Sequence, residues 1–153
     1  MGMQSKPVRA STTYISDLMS PPDANLRGSV FGGKVLAMVD KAAAVCAMRH
    51  SGRPCVTVAM ERVEFLVPIR VGDYLVAEAR VNHVGRSSME IGVEVYSEDL
   101  EKGDRRHTNS CLVTMVAVDP KGRPCPVPRL LIETREEKAR FAAAELRRKA
   151  RAA

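Results

Sequence analysis

One carboxylate, Asp40, lies about two turns inside an otherwise apolar segment that opens on the double glycine Gly32-Gly33. A short polar loop, Asp23-Ala24-Asn25-Leu26-Arg27-Gly28-Ser29, leads into it. Asp40 supplies a general base or a nucleophile, and Asn25 supplies an amide. A glycine-rich helix start supplies N–H groups that have no intrahelical acceptor and stand at the positive end of the helix dipole. The missing Cβ atoms let a ligand approach the backbone closely. These parts suit attack on a carbonyl carbon, with the amides of Gly32 and Gly33 facing the charge that develops on oxygen. Read without that chemistry, Asp40 is the solvated edge of an amphipathic helix beside Lys41, and Asn25 is a loop asparagine closing an Asx turn after Pro22.

The elements that must hold these groups follow from periodicity. Residues 12–19 are β-branched and short enough for a first strand, which Ser20-Pro21-Pro22-Asp23 breaks. From Gly33 to Arg49 apolar residues recur at helical spacing (Val35, Val39, Ala42, Cys46), and Gly52 is placed to cap the helix in a left-handed conformation. The period then changes to two. Strands are predicted over Cys55–Val67, with Val56, Val58 and Met60 on one face, and over Tyr74–Val84, Met89–Tyr96 and Cys111–Asp119. Met89, Ile91, Val93 and Val95 alternate with Glu90, Gly92, Glu94 and Tyr96, which predicts one wet face. One helix and five antiparallel strands, the last four joined as hairpins, make an α+β layer in which the sheet wraps the helix.

Composition bounds the rest. The 153 residues suit one domain; aromatics are 4% and Trp is absent, so the core must be aliphatic. The chain divides into a polar, flexible arm (residues 1–11), the body (12–130) and a basic C-terminal helical tail (131–153). The formal charge is +6, but seven basic residues against four acidic ones lie between Glu133 and Arg151. That tail is expected to stay on the surface and keep the particle soluble. Six aromatic residues give no stacking platform for nucleic acid, so no specific nucleic-acid partner is expected. No apolar run reaches the ~20 residues that cross a bilayer, so no membrane partner is expected either. Cys46, Cys55, Cys111 and Cys125 form no CxxC pair, and reduced thiols and a cytoplasmic location are expected. A zinc site from Cys46, His50 and Cys55 is the weaker alternative, because its spacing is loose.

The segments Asp23-Ala24-Asn25, Gly28, Val30-Phe31-Gly32-Gly33 and Asp40 resemble the signature of hot-dog-fold acyl-CoA thioesterases of the YciA and cytosolic acyl-CoA hydrolase type. The resemblance continues in order through Val56-Thr57-Val58 to Phe65, Pro68–Asp73, Val84–Met89 and Val116–Asp119, and covers roughly residues 12–128. It implies a hot-dog fold, a long central helix wrapped by a five-stranded antiparallel sheet, here with a C-terminal helix added. It also implies a homo-oligomer, a dimer at least and a trimer of dimers in this branch, with active sites at the dimer interface. Asn25 matches the family's catalytic asparagine, placed opposite the other subunit's Asp40, and Thr57 lies where the strand faces the site. Gly85-Arg86-Ser87-Ser88 resembles the turn that contacts the CoA phosphates, with Arg62 and Arg70 as further nucleotide candidates.

The implied activity is hydrolysis of acyl-CoA to a free acid and CoA. No cofactor is needed, since CoA is part of the substrate. Two rivals remain. One is a non-catalytic acyl-CoA-binding regulatory domain, which has no need of both Asp40 and Asn25. The other is a hot-dog dehydratase, which pairs an Asp with a His, whereas His50, His83 and His107 all lie outside the Asn25–Asp40 segment.

Overall fold

The computed structural model describes residues 3–152. In chain order they form β1 (Lys6–Pro7), a 3-10 turn (Val8–Ala10), β2 (Thr13–Leu18), a second 3-10 turn (Pro21–Asp23) and α1 (Gly32–Ser51). Strands β3 (Cys55–Phe65), β4 (Tyr74–Val84), β5 (Ser88–Glu98), β6 (Arg105–Ala117) and β7 (Leu130–Leu131) follow, and α2 (Arg135–Ala152) ends the chain. The five long strands make one antiparallel sheet in the order β2-β4-β5-β6-β3. The last four strands are therefore not all hairpins. β3 pairs with β6 at one edge while β4 lies beside β2, so residues 66–73 carry the chain across the sheet. Buried Ile69 anchors that crossover, and its carbonyl accepts the Val30 N–H at 2.8 Å.

α1 lies on one face of the sheet. Val35, Met38, Val39, Ala42, Ala43, Cys46 and Ala47 are its buried stripe, at the spacing that puts them on one side of a helix. They meet the inward residues of β4 (Leu75, Ala77, Ala79, Val81), β5 (Met89, Ile91, Val93, Val95) and β6 (Cys111, Val113, Met115, Ala117), all in the buried core. No aromatic ring enters that core, so shape is filled by aliphatic and thiol side chains, each large one contributing about 1.5–3 kcal/mol on burial. Gly52 ends α1 at φ 68°, its N–H donating to Met48 O at 2.8 Å, as the left-handed cap requires.

Three segments differ from expectation. β6 begins at Arg105, six residues before the apolar run from Cys111, because polar cross-strand contacts extend it: Arg105 pairs with Glu98 in register and stacks its guanidinium 4.1 Å from the Tyr96 ring centroid. The segment expected as a flexible arm is built into the fold from Lys6, where β1 pairs in parallel with β7 and Val8 is 4% exposed. The basic tail is docked as well. α2 covers the outer face of the sheet, where Arg147 donates to both carboxylate oxygens of Glu90 at 3.0 and 2.8 Å and Asn82 Nδ2 donates to the same carboxylate at 2.9 Å. The face of β5 read as wet is thus partly closed, and Glu90 is only 5% exposed.

Burial pushes the Glu90 carboxyl upward, but the hydrogen bonds from Arg147 and Asn82 outweigh it and hold the group below the ordinary glutamate range. Because the folded-state pKa is depressed, its contribution to stability is present above the unfolded value of about 4.3 and is lost as pH falls through the folded value. Glu90→Gln is expected to destabilise the protein by about 3 kcal/mol at neutral pH, since it leaves the Arg147 charge without its partner. The variant should also lose less stability than wild type below about pH 4.3. Thermal melts across that range check both outcomes.

Candidate active site

Asp40 faces β3. Thr57, one turn of pleat into that strand, donates from Oγ1 to Asp40 Oδ1 at 2.6 Å and also lies 3.3 Å from the Met115 sulfur. A hydroxyl that gives its proton to one carboxylate oxygen fixes the ring of possible carboxylate orientations and leaves Oδ2 free. Thr57 is exposed and Asp40 half-buried, so this pair opens to the outside rather than into the core. The bland reading of Asp40 as a free solvated edge does not describe it.

The start of α1 is uncapped. No side chain bonds it, and the Gly32 and Gly33 N–H groups find no acceptor among the described residues. Phe31 and Phe65 flank them: a Cβ on Gly33 would run into the Phe31 ring, and one on Gly32 would sit 3.4 Å from the Phe65 ring. Glycine at these two positions keeps the amides accessible between two exposed aromatic rings. Lys34, in the same turn, bridges Asp17 at 3.0 Å and Asp23 at 3.5 Å. Phe31 and Phe65 stand in the segments that carry the family resemblance, but nothing in their spacing, or in that of Lys34, signals that they frame a helix start.

Asn25 does form the Asx turn. Its Oδ1 accepts the Arg27 N–H at 2.8 Å and the Ser29 N–H at 3.2 Å, while Nδ2 donates to Ser29 Oγ at 3.2 Å. Those bonds immobilise the amide and leave its second N–H without an acceptor among the described residues. The two readings of Asn25 are therefore compatible, since the turn is what orients the donor.

Within one protomer these groups lie apart. Asp40 follows Gly32 by eight residues and Gly33 by seven, which is about 10–12 Å along a helix axis. Asn25 and Asp40 share no hydrogen bond either. The β4–β5 turn lies two strands across the sheet from Thr57 and shares no hydrogen bond with Asp40 among the described residues. Its Gly85 N–H donates to Ser88 O at 2.8 Å, and the Ser87 and Arg86 carbonyls accept the Ala117 and Val127 amides at 3.0 and 2.8 Å. Arg86 is exposed, with Ser87 and Ser88 half-buried. Arg62 sits in a bulge of β3 at φ 54°, exposed and uncommitted, and Arg70 is tied to Asp99 at 3.3 Å.

The histidines are occupied elsewhere. His50 is fully buried with Nε2 2.8 Å from Pro128 O, and burial pushes its pKa down. His83 meets Glu145 and His107 meets Glu94. None of the three hydrogen-bonds Asp40 within the protomer among the described residues. Cys46 lies 4.0 Å from Ser11 Oγ, and Cys55 lies 3.3 Å from Ser51 Oγ. With His50 turned to Pro128, the zinc candidates face separate partners.

The sequence profile described as the thioesterase superfamily matches residues 27–103. An acyl-CoA thioester hydrolase of Bacillus subtilis, YkhA, is 40% identical over 88% of this chain and 74% of its own length. The chain belongs to the thioesterase superfamily. A hexameric acyl-CoA thioesterase solved without ligand is similar at 44% identity, with a TM-score of 0.93 over 97% of this chain and 96% of that one. The acyl-CoA hydrolase of Staphylococcus aureus, solved with butyryl-CoA and CoA, is similar at 35% identity and a TM-score of 0.88 over 96% and 92%. The Staphylococcus aureus enzyme has also been solved with an aspartate, an asparagine or a threonine replaced by alanine. The fold of this thioesterase is thus the hot-dog fold, α1 being the filling and the five-stranded sheet the wrap.

Because Thr57 is solvent-accessible and makes its main bond to the carboxylate, Thr57→Val is expected to keep the fold and reduce thioester hydrolysis about tenfold or more, the value of one hydrogen bond to a charged group. Thiol release at saturating substrate, alongside an unchanged thermal melt, checks this.

Proposed function

We propose that this thioesterase hydrolyses acyl-CoA to a carboxylic acid and CoA, at sites shared between two protomers. The observation that carries the proposal is the Thr57–Asp40 hydrogen bond of 2.6 Å, which orients a carboxylate toward the unpaired edge of β3. The 15 residues from Asn25 to Asp40 and the 17 from Asp40 to Thr57 equal the spacings of the asparagine, aspartate and threonine replaced in the Staphylococcus aureus hydrolase. That match supports Asn25, Asp40 and Thr57 as the working set.

The exposed edge of β3 supports a second protomer in the site. The β3 edge exposes Val56 at 47%, Val58 at 60% and Phe65 at 54%, an unpaired strand that natural proteins cover or pair. Two such edges pairing antiparallel join the sheets and bring each Asp40 to the seam. There the Gly32 and Gly33 amides and Asn25 of the facing chain reach the carbonyl that a chain's own helix start cannot. The similar thioesterase is a hexamer, and we extend that to this chain as a trimer of dimers.

In the reaction, Asp40 Oδ2 takes a proton from water as the water oxygen bonds to the thioester carbon. The carbonyl oxygen becomes an oxyanion facing the free amides, worth about 2.7–4 kcal/mol for one such donor. The C–S bond then breaks, CoA leaves as the thiolate, and the proton held on Asp40 returns to sulfur. If Oδ2 attacks carbon directly, CoA leaves first and water then cleaves the mixed anhydride. Either route uses the same residues. Arg86, Ser87, Ser88 and the Gly85 turn, with Arg62, hold the CoA end. No helix here is long and apolar enough to cross a membrane, and the four cysteines are free thiols, in keeping with the reducing cytoplasm in which we place the enzyme.

Free-thiol release from a panel of short to long acyl-CoAs tests the proposal. Asp40→Asn is expected to lower turnover about 10²–10⁴-fold, the usual contribution of general-base catalysis, with the fold unchanged. Wild type inactive across the panel while still binding CoA esters would sink it in favour of a binding domain. Val58→Lys should place a charge in the seam, shift the particle toward monomer in light scattering and abolish turnover with it.

A further inference from the structure

Three guanidinium groups converge on the β4–β5 turn, and only one of them belongs to it. Arg129, from the connector ahead of α2, donates through Nη2 to the Gly85 carbonyl. Arg148, on the last turns of α2, brings the end of its guanidinium against Gly85, where a Cβ would make it shift. With Arg86 they line a cavity of about 580 Å³ whose other wall is His83, Phe141 and Glu145. The His83 and Phe141 rings are stacked at 4.5 Å, and Glu145 is engaged by His83. None of the three arginines forms an ion pair among the described residues. Glu145 is the single carboxylate in the lining, so positive charge exceeds negative by two even with that carboxylate counted.

A concave surface with surplus guanidinium donors focuses positive potential and selects an anion with several acceptor oxygens. An acyl-CoA is phosphorylated at one end only. The cavity stands within its reach: Thr57 pairs with Met115 and Met115 with Met89, so the turn lies two strands across from Thr57, roughly 10 Å away, at the same end of the sheet. We infer that Arg129 and Arg148 complete the seat for the phosphorylated end of CoA, so that α2 makes the enzyme distinguish CoA thioesters from thioesters that lack phosphate. The inference rests on the acyl-CoA reading for its ligand. It gives the C-terminal helix a part in recognition, beyond the solubilising one its composition suggests.

Calorimetric titration of the intact oligomer with CoA and with pantetheine tests this without requiring turnover. Arg148 is exposed and donates no hydrogen bond among the described residues, so Arg148→Ala should melt like wild type. CoA affinity should fall about tenfold or more, with a shallower dependence on salt, and Arg148→Lys should recover part of the loss. The preference in kcat/KM for an acyl-CoA over the acyl-pantetheine with the same acyl group should fall by a similar factor. CoA binding by Arg148→Ala as tight as wild type, equal losses for CoA and pantetheine, or no CoA binding by wild type would each overturn the inference. A wild type that binds CoA through Arg148 yet releases thiol from no acyl-CoA overturns the hydrolase reading and leaves the phosphate seat standing.

Discussion

How closely α1 can lie on the sheet decides the rest of this structure. Ala42, Ala43, Cys46 and Ala47 are fully buried and small, and they face Ala77 and Ala79 of β4 in the same cluster. Small side chains on both surfaces let the sheet curl around the helix instead of standing off from it. The curl brings β3, at the far edge, near enough for Thr57 to reach a carboxylate in the middle of α1. A bulkier stripe would hold the helix away and leave Asp40 facing solvent. The Thr57–Asp40 geometry is in this sense a by-product of alanine packing.

That close packing also bears on the proposal that chemistry is divided between chains. A helix with its carboxylate seven and eight residues from its free amides cannot bend back on itself, because its ladder of hydrogen bonds is intact from Gly32 to Ser51. In the proposed site two helices, one from each chain, bring the two functions together. The exposed valines of β3 and the two bulges that break its register with β6 fit a strand shaped by a neighbour. Arg62, held at φ 54° in the second bulge, pays for that shape with local backbone strain of the kind found at functional sites.

Much of this was legible in the sequence, and the gaps have physical causes. The central helix, its glycine cap and the inward faces of β4, β5 and β6 were readable because burial on one side imposes a period. Asp40 and Asn25 stood out as polar residues at places where helix and loop chemistry need explaining. The crossover after β3 was not readable, since strand period says nothing about which neighbour a strand takes. The polar start of β6 was hidden because ion pairing and ring stacking, not apolar alternation, hold Arg105 and His107 in the sheet. The docking of α2 was hidden for a related reason: its composition is that of a solvated helix, and one bidentate contact from Arg147 to a buried carboxylate decides its place.

That single latch has an evolutionary reading. α2 is joined to the body by a short connector and meets the sheet on the face away from Asp40, so its sequence can drift without disturbing the packing that aims the carboxylate. A lineage that kept Glu90 and Arg147 while varying the outer positions of the helix would inherit intact chemistry with an altered taste in carriers. On the inference that α2 seats the phosphorylated carrier, the terminal helix is an exchangeable cassette, and grafting it between related enzymes is a route to retuning which thioesters they accept.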